Sequence, residues 1–350
     1  MEKLGCRGLH YDFDMGIDFV YTWVDGGDPA WAVRRCEAMR VAGLLDDDAA
    51  CCAARFSDNG ELKYSLRSIN KYAPWVRHIY LVTDRQVPKW LALEHPKVRV
   101  VDHRDIFEGG DVLPTFNGRA IESRLHNIPG LSEHFVYFND DMFLGRAAQP
   151  WHFFGRHGLP RVYTESRTAM SVAPWELGRA VIPGDRDVLH GQAVVNSRLA
   201  VQRVTGRLVA FNLRHQAKPM LKSMLKEMAI GLYRAEFDNV ARAPFRATDQ
   251  VCPTYLYGFH ALATGRAVKT YLKSFRNRRR PLDFLYSHQR SVSSMYLETS
   301  GEIKARLERL RDARPLFFCV NQSPRSDESS IAHSLNFLSQ YFSEQAPFER

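Results

Sequence analysis

The chain has 350 residues, 45% of them hydrophobic, 12% aromatic and 25% charged, a mix that supports a large buried core and excludes a disordered, collagen-like or coiled-coil chain. Lysine and arginine (48) outnumber aspartate and glutamate (39), for a formal net charge of +9, which suits an anionic partner such as nucleic acid, an acidic membrane surface or a phosphorylated small molecule. No apolar run reaches the ~18 residues of a membrane span, and the opening MEKLGCRGLHYDFD holds no apolar stretch of signal-peptide length, so a cytoplasmic chain is expected. The cysteines Cys6, Cys36, Cys51, Cys52, Cys252 and Cys319 form no CxxC pair and no zinc-spaced cluster with histidine, and they read as free thiols.

In chain order, Ile17–Val24 is apolar on both faces, as a buried strand is, and it ends in the turn Asp25-Gly26-Gly27-Asp28-Pro29. Trp31 to about Leu45 reads as a helix, followed by an acid-and-alanine linker. Glu61–Tyr72 carries Leu62, Leu66, Ile69 and Tyr72 on one helical stripe and stops before Pro74. His78–Thr83 is a strand ending at Asp84, Pro88–Leu93 a short helix, and Val98–Asp102 a further strand. Ala120–Asn127 is predicted helical. His134–Phe138 is a strand that runs into Asn139-Asp140-Asp141. The second half is less regular: Trp151–Pro183 shows scattered aromatic and basic groups, Pro219–Ile230 an amphipathic helix with Pro219 near its first turn, and Phe275–Arg280 a basic cluster. Glu302–Arg314 is a charged helix and Leu316–Val320 a strand ending at Asn321. From Gln322 the chain is polar, then regains Leu335, Phe337 and Leu338.

Strands alternating with helices predict an α/β fold with a mostly parallel sheet, with ligands bound beyond the carboxyl ends of the strands. Four of those ends carry acids: Asp25, Asp84, Asp102 and Asp140-Asp141. Converging carboxylates need a cation or a proton to coexist. Asn139-Asp140-Asp141 suits a hard divalent ion held against a diphosphate, or a solvated turn. Asp25-Gly26-Gly27-Asp28 suits close backbone approach to a phosphate or base edge, or a plain tight turn; it is no dinucleotide fingerprint. His215, between Arg214 and Lys218, suits a general base beside phosphate-attracting cations, or a surface histidine at a helix start. Arg246 suits a bidentate phosphate clamp, or an ordinary surface arginine. Arg276, Arg278, Arg279 and Arg280 suit a polyanion or a membrane, or a solvated charge run.

Several stretches, taken together, resemble the four blocks of the Stealth family in the family's order. They are Asp18–Trp31; RFSDNGEL from Arg55, then Pro74-Trp75, LVTDRQVPKWL, LPTFNGRAIE and YFNDD; RHQAKPMLKSML through PFRATD; and Phe317–Asn321, FFCVN. The resemblance divides the chain into an N-terminal extension (1–16), a catalytic domain (17–325, with blocks near 17–31, 55–165, 211–255 and 316–325) and a C-terminal tail (326–350). It implies a Rossmann-like core related to the GT-A glycosyltransferases, with a more helical C-terminal half. It also implies transfer of a sugar-1-phosphate, commonly N-acetylglucosamine-1-phosphate, from a UDP-sugar donor to a saccharide acceptor in capsule or exopolysaccharide synthesis, with Mg2+ or Mn2+.

The family's active-site glutamate, aspartate, histidine and arginine fall on Glu122, Asp141, His215 and Arg246. The residues alone mark three of these; Glu122 reads only as a helix position. By the same resemblance Asp141, Asp140 and Asn321 hold the metal, Arg246 steadies the phosphoryl oxygens, and Glu122 orients His215 or the sugar hydroxyls. His215 takes the hydroxyl proton or holds phosphate as a cation. Asp25, Gly26, Gly27, Asp28, Asn117, Arg124, Lys218 and Asn321 contact the substrate. Three positions depart from the family: Gly27 stands for Ser or Asn, Gly118 for Ser, and Gln322 for Asp, the last inviting Asp327 as a stand-in. A metal-dependent glycosyltransferase releasing UDP is the alternative enzyme, and a polyanion- or membrane-binding protein the alternative outside catalysis. No nucleic acid partner is expected; peripheral docking at the inner face of the membrane through the basic surface is.

Overall fold

The structure is a computed structural model and describes residues 16–45, 51, 56–108, 113–164, 188–271, 273–274, 293–298, 303–322 and 326–350. The basic cluster Phe275–Arg280 lies outside the described residues, as do Cys6 and Cys52. In chain order the first half forms β1 (Ile17–Thr22), α1 (Pro29–Ala42), α2 (Glu61–Tyr72), β2 (Ile79–Thr83), β3 (Val98–Asp102), α3 (Gly118–Arg124), β4 (His134–Asn139), β5 (Met142–Leu144), α4 (Pro150–Phe153) and β6 (Arg161–Thr164). The second half forms α5 (Val188–Thr205), β7 (Lys218–Leu221), α6 (Lys222–Glu227), α7 (Arg234–Ala241), α8 (Pro253–Ala263), β8 (Val268–Tyr271), β9 (Lys273–Ser274), β10 (Ser293–Glu298), α9 (Ile303–Ala313), β11 (Phe317–Asn321) and α10 (Glu328–Tyr341).

The main sheet has the order β3-β2-β1-β4-β7. Its first four strands are parallel and β7 is antiparallel to β4. This is the mixed α/β fold with a mainly parallel sheet that strand–helix alternation predicts. Side-chain alternation sorts each strand onto two cores. Phe19, Tyr21, Ile79, Leu81, Val136 and Phe138 pack with Leu62, Leu66 and Ile69 of α2 on one face. Val20, Tyr80, Val82, Phe135 and Tyr137 face α3 and α5 to α8 on the other. At the C-terminal edge Thr22 pairs with both Val82 and Asn139, so the segments that follow β1, β2 and β4 leave the sheet side by side.

A second sheet has the order β5-β11-β10-β9. Here β11 runs antiparallel to β5, with Cys319 opposite Met142. The second sheet thereby carries the fourth sequence block to the end of β4.

Three segments differ from expectation. Within Pro219–Ile230 the first residues are not helical: Lys218–Leu221 adds to the sheet, with Pro219 opposite Val136, and α6 begins at Lys222. A π-helical turn follows at Met228–Leu232. Pairing with β4 outweighs the helical pattern, and an edge strand tolerates proline. Pro88–Leu93 forms no helix; Leu91 bridges Glu349, and the Arg350 amide donates to the Trp90 carbonyl at 2.8 Å. The segment 326–350 is built into the fold: Asp327 caps α10, and the Arg67 guanidinium on α2 grips both carboxylate oxygens of Glu349 at 2.7 Å.

Candidate active site

Asp140 and Asp141 form the turn between β4 and β5. The Asp141 backbone is pinned by the Val320 amide, which donates to the Asp141 carbonyl at 3.0 Å. The Cys319 thiol donates to Asp141 Oδ2 at 3.0 Å, and Asp141 Oδ1 is buried with no hydrogen-bond partner. Burial pushes the Asp141 carboxyl up to about 6; the thiol's hydrogen bond opposes this and Glu61 adds to it. Asp140 is driven well above the usual carboxylate range by burial, then by Asp141, Glu61 and Asp58. Glu61 and Asp58 are themselves raised, again chiefly by burial. Four acids thus crowd one end of the sheet.

His215 precedes β7 on a stretch held against β6, where the Arg214 amide donates to the Tyr163 carbonyl at 2.9 Å. A ring nitrogen of His215, a carboxylate oxygen of Asp141 and the Cys319 sulfur all lie within 4.8 Å of one another. Burial, Lys218, His190 and Arg246 hold the imidazole well below its ordinary range, so it is neutral. The Lys218 ammonium sits over the rings of Tyr137 and Tyr255, 5.4 and 5.5 Å from their centroids.

A cavity of about 180 Å3 opens at the C-terminal edge of the sheet. Its lining includes the polar side chains of Glu122, Tyr137, Asn139, Asp140 and Arg246 and the aromatic rings of Trp23, Trp31, Phe56 and Phe116. Glu122 accepts from the Thr254 hydroxyl at 3.0 Å and from the Tyr137 hydroxyl at 3.4 Å, and the Cys252 sulfur lies 3.8 Å from Oε2. The loop carrying Arg246 is clamped from the second block. Phe116 stacks on Phe245 at 5.4 Å, and the Asn117 amide donates to the Ala243 and Phe245 carbonyls at 3.3 Å and to Gln250 at 3.2 Å.

The structure therefore brings Glu122, Asp140, Asp141, His215, Lys218 and Arg246 to one end of the sheet. Asn321 closes β11 two residues after Cys319. The remaining sequence candidates take other positions. Asn117 is fully buried and caps α3; it holds the Arg246 loop in place of offering an exposed substrate contact. Arg124 lies beyond the cavity lining and pairs with Asp238 of α7 at 3.2 Å. Asp25 accepts from the Gly27 amide at 2.9 Å, and Asp28 caps α1 while accepting from Gln86 at 3.0 Å. Gly26 packs on the Phe56 carbonyl so tightly that a Cβ would sit 2.4 Å from it. This turn is a structural joint. Gln322 accepts from Asn59 at 2.6 Å, and Asn59 also donates to Glu61 at 2.9 Å. Asp327, the suggested stand-in, serves as the α10 cap. Gly118 leaves room for the family's Ser, since a Cβ would lie 3.8 Å from Arg246.

Sequence reasoning missed Cys319, Thr254, Tyr137, Asp58 and Glu61 as members of the site. The acids of Asp58-Asn59-Gly60-Glu61 carried a signal, being clustered before a helix; the others carried none.

Comparisons with known proteins match the chain to one family. Stealth protein CR1, conserved region 1, matches residues 15–40, and Stealth protein CR2, conserved region 2, matches residues 55–162. The chain belongs to the Stealth family. An exopolysaccharide phosphotransferase of Streptomyces coelicolor is 38% identical over 347 residues, covering 98% of this chain and 54% of its own length. The exopolysaccharide phosphotransferase CpsY of Mycobacterium tuberculosis is 37% identical over 347 residues, covering 97% of this chain and 59% of its own. The chain spans about half the length of the curated relatives it matches. Among solved structures the galactosyltransferase LgtC aligns over 93% of this chain and 95% of its own, at 10% identity and a TM-score of 0.41, too slight a likeness to extend to catalysis.

Proposed function

We propose that the chain transfers a sugar-1-phosphate from a UDP-sugar to a saccharide hydroxyl, releasing UMP, in capsule or exopolysaccharide synthesis. The sugar is N-acetylglucosamine or another hexose. The observation that carries this reading is the convergence of the four family residues: Glu122 and Arg246 line one cavity with Asp140, and His215 and Asp141 meet beside them. The names of the relatives support it.

The acceptor hydroxyl attacks the sugar-proximal phosphorus, the bond to the nucleoside phosphate breaks, and UMP carries away the bonding pair. Such reactions depend on positioning and on neutralising phosphate charge. Neutral His215 accepts the hydroxyl proton. An arriving phosphate offsets the cations Lys218 and Arg246 that depress the imidazole, and so makes it a better base. Arg246 steadies the phosphoryl oxygens. Glu122, fixed by Thr254 and Tyr137, orients the sugar hydroxyls. The carboxylate crowd fits a divalent cation: Asp141 Oδ1 is buried without a partner, and the acids raise one another's affinity for protons. Asp140 and Asp141, with Asn321, would hold Mg2+ or Mn2+, which supplies charge neutralisation on the diphosphate.

No helix among the described residues is long and apolar enough to cross a membrane. Peripheral contact with an acidic inner-membrane surface would follow from the net positive charge. The deciding experiment incubates the protein with Mg2+, UDP-sugars and saccharide acceptors and separates the nucleotides. Acceptor-dependent UMP is expected. UDP would make the protein a glycosyltransferase. His215→Ala should lower turnover at least about 100-fold while donor binding persists; unchanged turnover would remove His215 from the base role.

A further inference from the structure

We infer that Asp141, His215 and Cys319 form a zinc-binding site, and that zinc held there shuts off the transfer chemistry. The second half of this statement rests on the proposed function; the first does not.

The three donor atoms lie within 4.8 Å of one another, and no two come from the same element. Asp141 is on the turn after β4, His215 on the segment before β7, and Cys319 in β11. Two of them are locked in register: Cys319 pairs opposite Met142, and the Val320 amide holds the Asp141 carbonyl at 3.0 Å. The thiol already lies 3.0 Å from Asp141 Oδ2, and Oδ1 has no partner. Zinc bonds of about 2.0–2.3 Å place tetrahedral donors roughly 3.3–3.8 Å apart, so no pair of donors needs to close by more than about 1.5 Å.

The donor set decides the metal. Mg2+ asks for oxygen ligands in near-octahedral array and has no use for a thiol. One thiolate, one imidazole and one carboxylate with a fourth position open is a set zinc accepts. The thiol is protonated in the free protein, since burial and Asp141 push it well up; a bound metal displaces that proton to solvent. Lys218 and Arg246 oppose the incoming charge and keep the affinity below that of a closed structural zinc site. The spacing 141, 215, 319 matches no local zinc motif, which is why the sequence hides it. Zinc bound this way occupies the imidazole lone pair and the Asp141 carboxylate together, the two groups the proposed reaction needs free.

The test uses Co2+ as a spectroscopic stand-in for zinc on the full chain. Wild-type protein titrated with CoCl2 should develop a thiolate-to-cobalt charge-transfer absorption that ZnCl2 bleaches. Cys319→Ser, with Cys319→Ala as a second variant should the first melt early, should lose the band while keeping the wild-type circular dichroism spectrum. His215→Gln should weaken it. In the transfer assay zinc should inhibit the wild type, and Cys319→Ser should need more than about 100-fold more zinc, beyond the 10–100-fold that a change outside the ligand set brings. A missing band, or one that survives in folded Cys319→Ser, overturns the assignment. A band that depends on Cys319 in a protein that transfers no sugar phosphate upholds the zinc site and overturns the transferase reading alone.

Discussion

The turns after β1 and β4 look alike in sequence, each a hydrophobic strand running into paired acids, yet they do opposite work. After β1 the polar groups satisfy one another. Asp25 closes on the Gly27 amide, Asp28 caps α1, and Gln86 ties the two together. After β4 the acids are half-buried beside other acids, and the buried Oδ1 of Asp141 has no hydrogen-bond partner. Asp84 and Asp102 belong with the first kind: Arg34 holds one at 2.8 Å, and the other caps a short 3-10 turn. An acid at a strand end is therefore scaffold when its hydrogen bonds close locally, and a candidate for chemistry when the fold leaves it short of them.

That contrast can be broken by mutation. The largest effect expected is from Asp141→Asn, which should cut turnover about 10²–10³-fold in a nucleotide-release assay; retained turnover would place the charge elsewhere. Next is Gly26→Ala, whose Cβ would meet the Phe56 carbonyl at 2.4 Å. It should destabilise the fold by about 2–3 kcal/mol in urea melts.

Smaller is the stability that Asp141→Asn gains in metal-free buffer. The carboxyl titrates at about 6 in the fold against an ordinary 3.8, so its ionisation costs the native state nothing below pH 4 and its full amount above pH 6. The variant should gain on the order of 2 kcal/mol at pH 7.5 and almost nothing at pH 4; an equal gain at both would sink the electrostatic account. Added Mg2+ should stabilise the wild type more than the variant. Smallest is Asp28→Ala, expected to lose about 1 kcal/mol for the cap with turnover per folded molecule unchanged. A turnover loss to match that of Asp141→Asn would erase the distinction between the two turns.

The first half of the chain was legible because its elements obey local rules. Val98–Asp102 and Glu61–Tyr72 have the predicted bounds, set by apolar alternation and by Pro74. Gly43, in the left-handed region at φ +66°, stops α1 three residues before the predicted end region closes at Leu45. The second half resists such reading. In α8 nearly every residue is buried, so no polar face marks its period. Lys218–Leu221 has a helical pattern but takes its conformation from β4, some 80 residues earlier. Among site residues, His215 and Asp141 announce themselves by type, whereas Cys319 earns its place only through register with Met142.

The Cys319–Asp141 contact joins residues 178 positions apart, and the Thr254–Glu122 bond spans 132. Each long closure must precede the contacts that reward it, and such topologies reach the native state slowly. The candidate site thus exists only in the finished fold. Chains paused partway, with the main sheet formed and β11 still undocked, carry the paired acids of β4 without Cys319 or Asn321 beside them. In kinetic refolding the main-sheet circular dichroism should therefore return before cobalt-binding capacity does.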